Sequence, residues 1–184
     1  IKTWIEMASV LPQEAIDQSA FFQKNNITYL DAPVSGGTVA ANNRNLAIMV
    51  GGEDDVYKEA IKIFEPLGKS VLVGPCGAGQ LAKLANQAIV GITIGAVAEA
   101  VLLLERGGVN VDSVREALSG GFADSAILQQ HGKRMSDRNF EAGGSIKTQL
   151  KDMQNIQYTA QMFGVELPMV DKVTDRYLAL SDDP

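Results

Sequence analysis

Gln80, Lys83 and Asn86 recur at intervals of three in a stretch that is otherwise apolar. On a helix that spacing puts all three on one face. Two amides and an ammonium on such a helix cost desolvation free energy unless they line a cavity or find partners. A lysine held there can have a lowered pKa and serve as a general acid. The other reading is a lysine that snorkels to solvent near a helix start, and the spacing leaves both open.

Asp31-Ala32-Pro33-Val34-Ser35-Gly36-Gly37 ends an apolar run and enters a loop. Ser35 offers a hydroxyl there, and Gly36 and Gly37 let backbone N–H groups approach a ligand closely. An ordinary glycine turn fits the same residues. Lys151-Asp152 lies in a helical stretch, where a solvated surface pair is the default expectation. Gly77-Ala78-Gly79-Gln80-Leu81-Ala82 matches the G-x-G-x-x-G/A dinucleotide fingerprint. That fingerprint needs a second strand after its helix, with an acidic residue about 20 positions on. Here the helix runs on through that position with Glu99 inside it, so the glycines are expected to serve a tight turn. His131 reads as structural, and Cys76 has no neighbouring His to make a nucleophile of it. One His and one Cys leave no His/Cys-rich metal site, and no metal is expected.

These residues need a scaffold, and two halves of different periodicity are visible. In the first, strands are expected at 2–7, 27–30, 46–50 and 71–73, with helices from Pro12 to about Lys24 and from Glu53 to near Gly68. A polar loop is expected between Ser35 and Leu46. Such alternation predicts an α/β sheet whose pairing order and direction are unfixed. Beyond Gly77 the strands stop. A helix of nearly thirty residues is expected from Gln80 to about Arg106, apolar on nearly every face and therefore buried on several sides. Helices at 111–118, 125–136, 148–163 and 168–181 follow. Asp112 and Asp124 are expected as N-terminal caps, and Gly164 as a stop.

A 46% hydrophobic, 21% charged composition is enough for a soluble globular core. The net charge of −6, without a Lys/Arg run, argues against a nucleic-acid partner. A single cysteine excludes an internal disulfide and suits a reducing compartment, so the cytoplasm is the expected location. Residues 88–104 are apolar except for Thr93 and Glu99, but a bilayer span needs about 20 apolar residues. A buried helix is preferred, and no membrane partner is expected. The chain opens on Ile1-Lys2-Thr3-Trp4-Ile5 without an initiator Met or a signal peptide, as a strand already under way, and the natural polypeptide is expected to start upstream.

Taken together, these segments resemble the β-hydroxyacid dehydrogenase family, which includes 3-hydroxyisobutyrate dehydrogenases and tartronate semialdehyde (2-hydroxy-3-oxopropionate) reductases. Residues 31–37 look like its substrate-binding motif, residues 77–87 like its catalytic segment, and Lys151-Asp152 like its C-terminal cofactor contact. Gly120 to Leu128, followed by His131-Gly132, is most similar to the tartronate semialdehyde reductase branch. The resemblance implies a partial Rossmann-like α/β domain over 1–76, the C-terminal part of an NAD(P)-binding domain. An all-helical domain over 77–184, entered through the long helix, would follow. It implies NAD or NADP as cofactor and a small carboxylated aldehyde or hydroxyacid as substrate. Lys83 becomes the acid, with Asn86 orienting it or the substrate. Ser35, Gly36 and Gly37 would bind the substrate carboxylate, Asp152 the edge of the site, and Lys151 the cofactor. Ala8 stands where the family usually has a hydroxyl on the cofactor, so Ser9 is the candidate to replace it. Ala40 and Arg44 stand where glycine is common, Gly144 where an aromatic is expected, and Ala126 where the tartronate-type branch has arginine. A homodimer or homotetramer is expected from the apolar long helix and from family likeness. The alternatives are a non-catalytic dehydrogenase-like binding protein, which the intact Lys83, Asn86 and Ser35 argue against, and an imine reductase, which Lys83 disfavours.

Overall fold

The computed structural model describes residues 2–141 and 143–181. Ile1, read above as part of an opening strand, lies outside them. The chain divides into two compact units, Ile1–Asn86 and Gln87–Pro184.

In the first unit β1 (Thr3–Glu6) leads through α1 (Pro12–Gln23) to β2 (Thr28–Asp31). Proline stands at the first turn of α1, where its missing N–H costs nothing, and Leu11 N–H is capped by the Glu14 carboxylate at 2.8 Å. Asn26, at φ +55, turns the chain back. β1 and β2 are parallel, with Thr3 opposite Thr28 and Glu6 opposite Asp31. The crossover helix makes that possible.

Residues 36–45 are not the plain polar loop the composition implies. They hold α2 (Gly37–Asn42), after the two-residue strand β3 (Val34–Ser35). Six residues are too few to show a helical period, and β3 is too short to alternate, so neither leaves a pattern to read. Gly36 opens α2 at φ +123, and Arg44 leaves it at φ +56, a left-handed backbone where glycine is favoured.

β4 (Leu46–Gly51), α3 (Asp54–Phe64) and β5 (Gly68–Gly74) complete the unit. β4 runs parallel to β5 but antiparallel to β2 and β3, so the sheet is mixed. Leu30, Ile48, Val50, Ala60 and Phe64 form its buried core.

α4 (Ala78–Arg106) is one helix of 29 residues that begins in the first unit and continues into the second. The expectation that it is buried on several sides fails. Ile89 is 68% exposed, Leu102 53% and Leu103 73%, while Val97 and Val101 are buried. An all-round apolar helix needs neighbours on every side, and this chain covers only part of its surface.

In the second unit Val97 and Val101 pack with Val111, of α5 (Val111–Leu118), and with Leu128. The capping residues differ from those expected. Asn110, not Asp112, caps α5 by accepting from Ser113 N–H at 2.8 Å. Asp124 accepts from Gly120 N–H and from the Gln129 amide, while Ser125 Oγ takes Leu128 N–H. Both aspartates lie within two residues of the true caps, closer than composition can resolve. The helix expected over 125–136 contains a π-helical turn, Leu128–Gly132, before α6 (Lys133–Ser136). The Arg115 guanidinium donates to the Leu128 and Gln129 carbonyls, at 3.3 and 2.9 Å, beside that turn. α7 (Ile146–Phe163) is capped by Ser145 and stopped by Gly164 in the left-handed conformation, and α8 (Pro168–Ser181) follows.

Candidate active site

The loop–helix junction at Pro75–Gly79 fixes the start of α4, and Asp31 is its anchor. This carboxylate is fully buried at the end of β2. Its Oδ1 accepts from Gly77 N–H and its Oδ2 from Gln80 N–H, both at 2.8 Å. A helix start leaves N–H groups without intrahelical partners and carries partial positive charge, so a buried carboxylate satisfies both at once. Gly79 lies so close to the sheet that a Cβ there would stand 2.5 Å from Met49 O and 2.7 Å from Asp31 O. The glycines of residues 77–82 thus serve the turn and the close approach. A pyrophosphate does not fit here: two of the N–H groups it would use are taken, and the group taking them is an anion.

One turn along, the Gln80 side chain is also fully buried. Its Nε2 donates to Ala8 O at 2.8 Å, and its Oε1 accepts from Val10 N–H at 3.1 Å. Ser9, half-buried in the loop after β1, lies between those two anchors. Lys83 and Asn86 follow on α4, both half-buried. Ser35 Oγ donates to Asn86 Oδ1 at 3.2 Å, joining residues 51 positions apart. The two segments singled out for chemistry therefore meet inside one unit. Gly36 and Gly37, both exposed, continue from Ser35 into α2. A Cβ at Gly36 would meet Ala40 Cβ at 2.4 Å, whereas one at Gly37 would meet nothing within 4 Å.

In the second unit the surface-pair expectation for Lys151 and Asp152 is half wrong. Lys151 is exposed, but Asp152 is only 4% exposed, with an Oδ1 3.2 Å from the Lys151 ammonium. Its Oδ2 accepts from Gln87 Nε2 at 2.6 Å, and Gln87 also reaches Gln149. A carboxylate buried this far is held by its partners, not by water.

Sequence reasoning missed Asp31 and Gln87 as site-building residues. The available signal was polarity in apolar surroundings: an acid closing the strand Thr28–Asp31, and a glutamine next to Asn86 on a mostly apolar helix. Cys76 donates to Ala15 O, and burial pushes its thiol pKa up, which keeps it protonated and weakly nucleophilic. His131, in the π turn, is pushed down by burial and by Arg134 nearby.

Comparison with known proteins adds the lineage. Residues 77–183 match the family model described as the NAD-binding domain of NADP-dependent 3-hydroxyisobutyrate dehydrogenase, and residues 2–76 that of the NAD-binding domain of 6-phosphogluconate dehydrogenase. The chain is 42% identical over 168 residues to 2-hydroxy-3-oxopropionate reductase of Escherichia coli (strain K12), covering 91% of this chain and 58% of that protein. It is 34% identical over 167 residues to a probable mitochondrial 3-hydroxyisobutyrate dehydrogenase-like protein of Arabidopsis thaliana, covering 91% of this chain and 49% of the relative. Among solved structures, 3-hydroxyisobutyrate dehydrogenase of Mycobacterium tuberculosis with L-serine superposes at a TM-score of 0.88. It is 26% identical, over 98% of this chain and 65% of its own. The chain thus spans about half the length of the curated relatives it matches. Two NAD-binding family models in tandem, a helix start anchored by Asp31 and a Ser35–Asn86 contact converge: the chain belongs to the β-hydroxyacid dehydrogenase family, whose cofactor is NAD or NADP.

Proposed function

We propose that the full-length protein interconverts a small carboxylated aldehyde and its hydroxyacid, with tartronate semialdehyde (2-hydroxy-3-oxopropionate) or the 3-hydroxyisobutyrate pair as substrate. Residues 1–76 serve as the C-terminal part of the NAD(P)-binding domain and 77–184 as the helical dehydrogenase domain. The observation that carries the reading is the bond from Ser35 to Asn86. It sets a carboxylate-binding hydroxyl and the face of α4 that bears Lys83 beside each other.

A nicotinamide cofactor, held in part by Lys151 and Ser9, would supply or accept the hydride. Lys83, one helical turn before Asn86, donates a proton to the carbonyl oxygen as the alcohol forms and takes it back in the reverse direction. General acid catalysis of this kind is typically worth about 10²–10⁴-fold. Asn86, fixed by Ser35, orients the lysine or the substrate. On binding, the Ser35 hydroxyl turns its one proton from Asn86 Oδ1 to the substrate carboxylate, its Oγ then accepting from the Asn86 amide, and the backbone N–H groups of Gly36 and Gly37 add charge-assisted hydrogen bonds. Asp152 holds Gln87 within the second unit, and the family resemblance assigns Asp152 to the edge of the substrate site and Lys151 and Ser9 to the cofactor. The exposed apolar residues of α4, Ile89, Leu102 and Leu103, support a homodimer or homotetramer, and the single cysteine suits a cytoplasmic location.

The test is turnover by the full-length protein of tartronate semialdehyde, 3-hydroxyisobutyrate and a cyclic imine, each with NADH/NAD⁺ and NADPH/NADP⁺. Turnover of either hydroxyacid pair is expected. Turnover of the imine alone would move the protein to C=N reduction, and none with any substrate would favour a binding role.

A further inference from the structure

We propose that Gln80 is a positioning residue: its side-chain amide clamps the loop carrying Ser9 to the start of α4, and so sets that loop relative to Lys83 for dinucleotide binding. The inference rests on the functional reading above, in which Ser9 touches the cofactor and Lys83 is the acid.

Gln80 occupies a position that an apolar residue would fill at less desolvation cost, since it is 0% exposed on a helix rich in Leu, Ala and Ile. Both ends of its amide are used, and on one target. Nε2 holds Ala8 O at 2.8 Å and Oε1 holds Val10 N–H at 3.1 Å, the two backbone groups that flank Ser9. Donor and acceptor in one planar group can satisfy a carbonyl and an amide in a way no ammonium, carboxylate or hydroxyl matches. The backbone of Gln80 is itself pinned, its N–H donating to the buried Asp31 carboxylate at 2.8 Å. A chain of bonded groups therefore runs from the end of β2, through the first turn of α4, to the loop after β1. Lys83 lies three residues beyond Gln80 and shares its face. Residues 7–10 have no strand or helix of their own to hold them.

The test uses the full-length protein with Gln80→Met and Gln80→Glu. Amide hydrogen exchange of residues 8–11 is measured together with NADH and NADPH affinity. Methionine keeps the length and removes both bonds. Ionised glutamate can still accept from Val10 N–H but sets a lone pair against Ala8 O; protonated, it donates there as the amide does. Each variant is compared with wild type at the same pH, near pH 5.5 and near pH 8, which bracket the protonation of a carboxyl group raised by burial. For Gln80→Met we expect exchange protection of residues 8–11 and dinucleotide affinity to fall about tenfold at both pH values, with Leu30 and Val50 still protected. For Gln80→Glu we expect the same losses near pH 8 and recovery to within about threefold of wild type near pH 5.5. A general loss of packing would not recover on acidification, and the glutamate comparison reads the clamp within one variant even if methionine prevents folding. Unchanged protection in a folded variant would overturn the clamp. Lost protection with unchanged affinity would overturn its role in dinucleotide binding. A wild-type protein that binds neither dinucleotide would sink the functional reading itself, while the exchange data would still decide whether Gln80 holds the loop.

Discussion

Asp31→Asn offers a direct measure of what anchors α4. The carboxylate is fully buried and accepts from two backbone N–H groups, Gly77 and Gln80, one on each oxygen. Asparagine has nearly the same shape but one acceptor oxygen, so its NH₂ must face one of those donors. One charge-assisted hydrogen bond is lost, worth about 1.5–3 kcal/mol, and a buried N–H is left unsatisfied, costing about 1–3 kcal/mol. The favourable placement of negative charge at the helix start also disappears, worth about 0.3–1 kcal/mol and more when buried. Against this, a buried charge no longer has to be desolvated. The net expectation is a loss of about 3 kcal/mol, a large fraction of a domain's total stability. The single tryptophan, Trp4, stacks on Phe22 at 4.8 Å in the first unit, so its fluorescence follows that unit through a urea titration. With an m-value of about 1.5 kcal/mol/M, the midpoint should fall by about 2 M with the slope unchanged. A fall worth less than about 1 kcal/mol would refute the anchoring argument, because it would mean that water or a shifted backbone replaces the lost bond.

Three further outcomes are expected. Lys83→Ala in the full-length protein should lower kcat by about 10²–10⁴-fold with dinucleotide affinity little changed, and a loss under about threefold would remove the lysine from the acid role. Gly37→Val is a cleaner probe of carboxylate binding than Gly36→Val, since Gly36 has no room for a Cβ beside Ala40 whereas Gly37 faces open space. At φ +63 a strain of about 1–2 kcal/mol is expected, and KM should rise for carboxylated aldehydes but not for carboxyl-free ones; a KM ratio equal to wild type would exclude these backbone donors. Because burial lowers the pKa of His131 below its ordinary value of 6.5, the folded protein binds fewer protons there than the unfolded chain does. Stability from this group is therefore present above about pH 6.5 and declines as pH falls from there toward the lowered folded value. His131→Gln should flatten the acid side of a circular-dichroism melting profile, and identical profiles would show that the imidazole does not titrate in this way.

The parts of this fold that repeat were legible, and the parts that depend on one contact were not. The strands expected at 46–50 and 71–73, observed at 46–51 and 68–74, and the helices beginning at Pro12, Val111 and Pro168 announce themselves by apolar runs, turn residues and helix-start residues, although the first half of the last strand reads as the end of a helix. β3 and α2 do not, because two and six residues cannot display a period. Nor does the antiparallel pairing of β2 with β4 at Asp31 and Gly51, which depends on the path of residues 32–45 through β3 and α2 rather than on any strand's own pattern. Within the site, the Gln80, Lys83 and Asn86 face could be read from spacing. The Ser35–Asn86 bond could not, since it joins positions 51 apart. Asp152 was misread as solvated because adjacent opposite charges on a helix carry no mark of how deeply either is buried. Asp31 was overlooked for the opposite reason: it opened a motif that claimed attention for its serine and glycines.

The π-helical turn at Leu128–Gly132 has a consequence for how this region tolerates changes in length. A π turn holds one residue more than an α-helical path between the same two ends, and the excess is absorbed on the spot. Side chains before and after it, from Ala126–Ile127 to Lys133–Ser136, can then keep the facing they would have without it. Arg115, reaching from α5 to the carbonyls of Leu128 and Gln129, steadies the place where the surplus sits. A one-residue deletion inside 128–132 should therefore be accepted as a local tightening of the coil, whereas the same deletion one turn into α7 would rotate every later contact of that helix by about 100°.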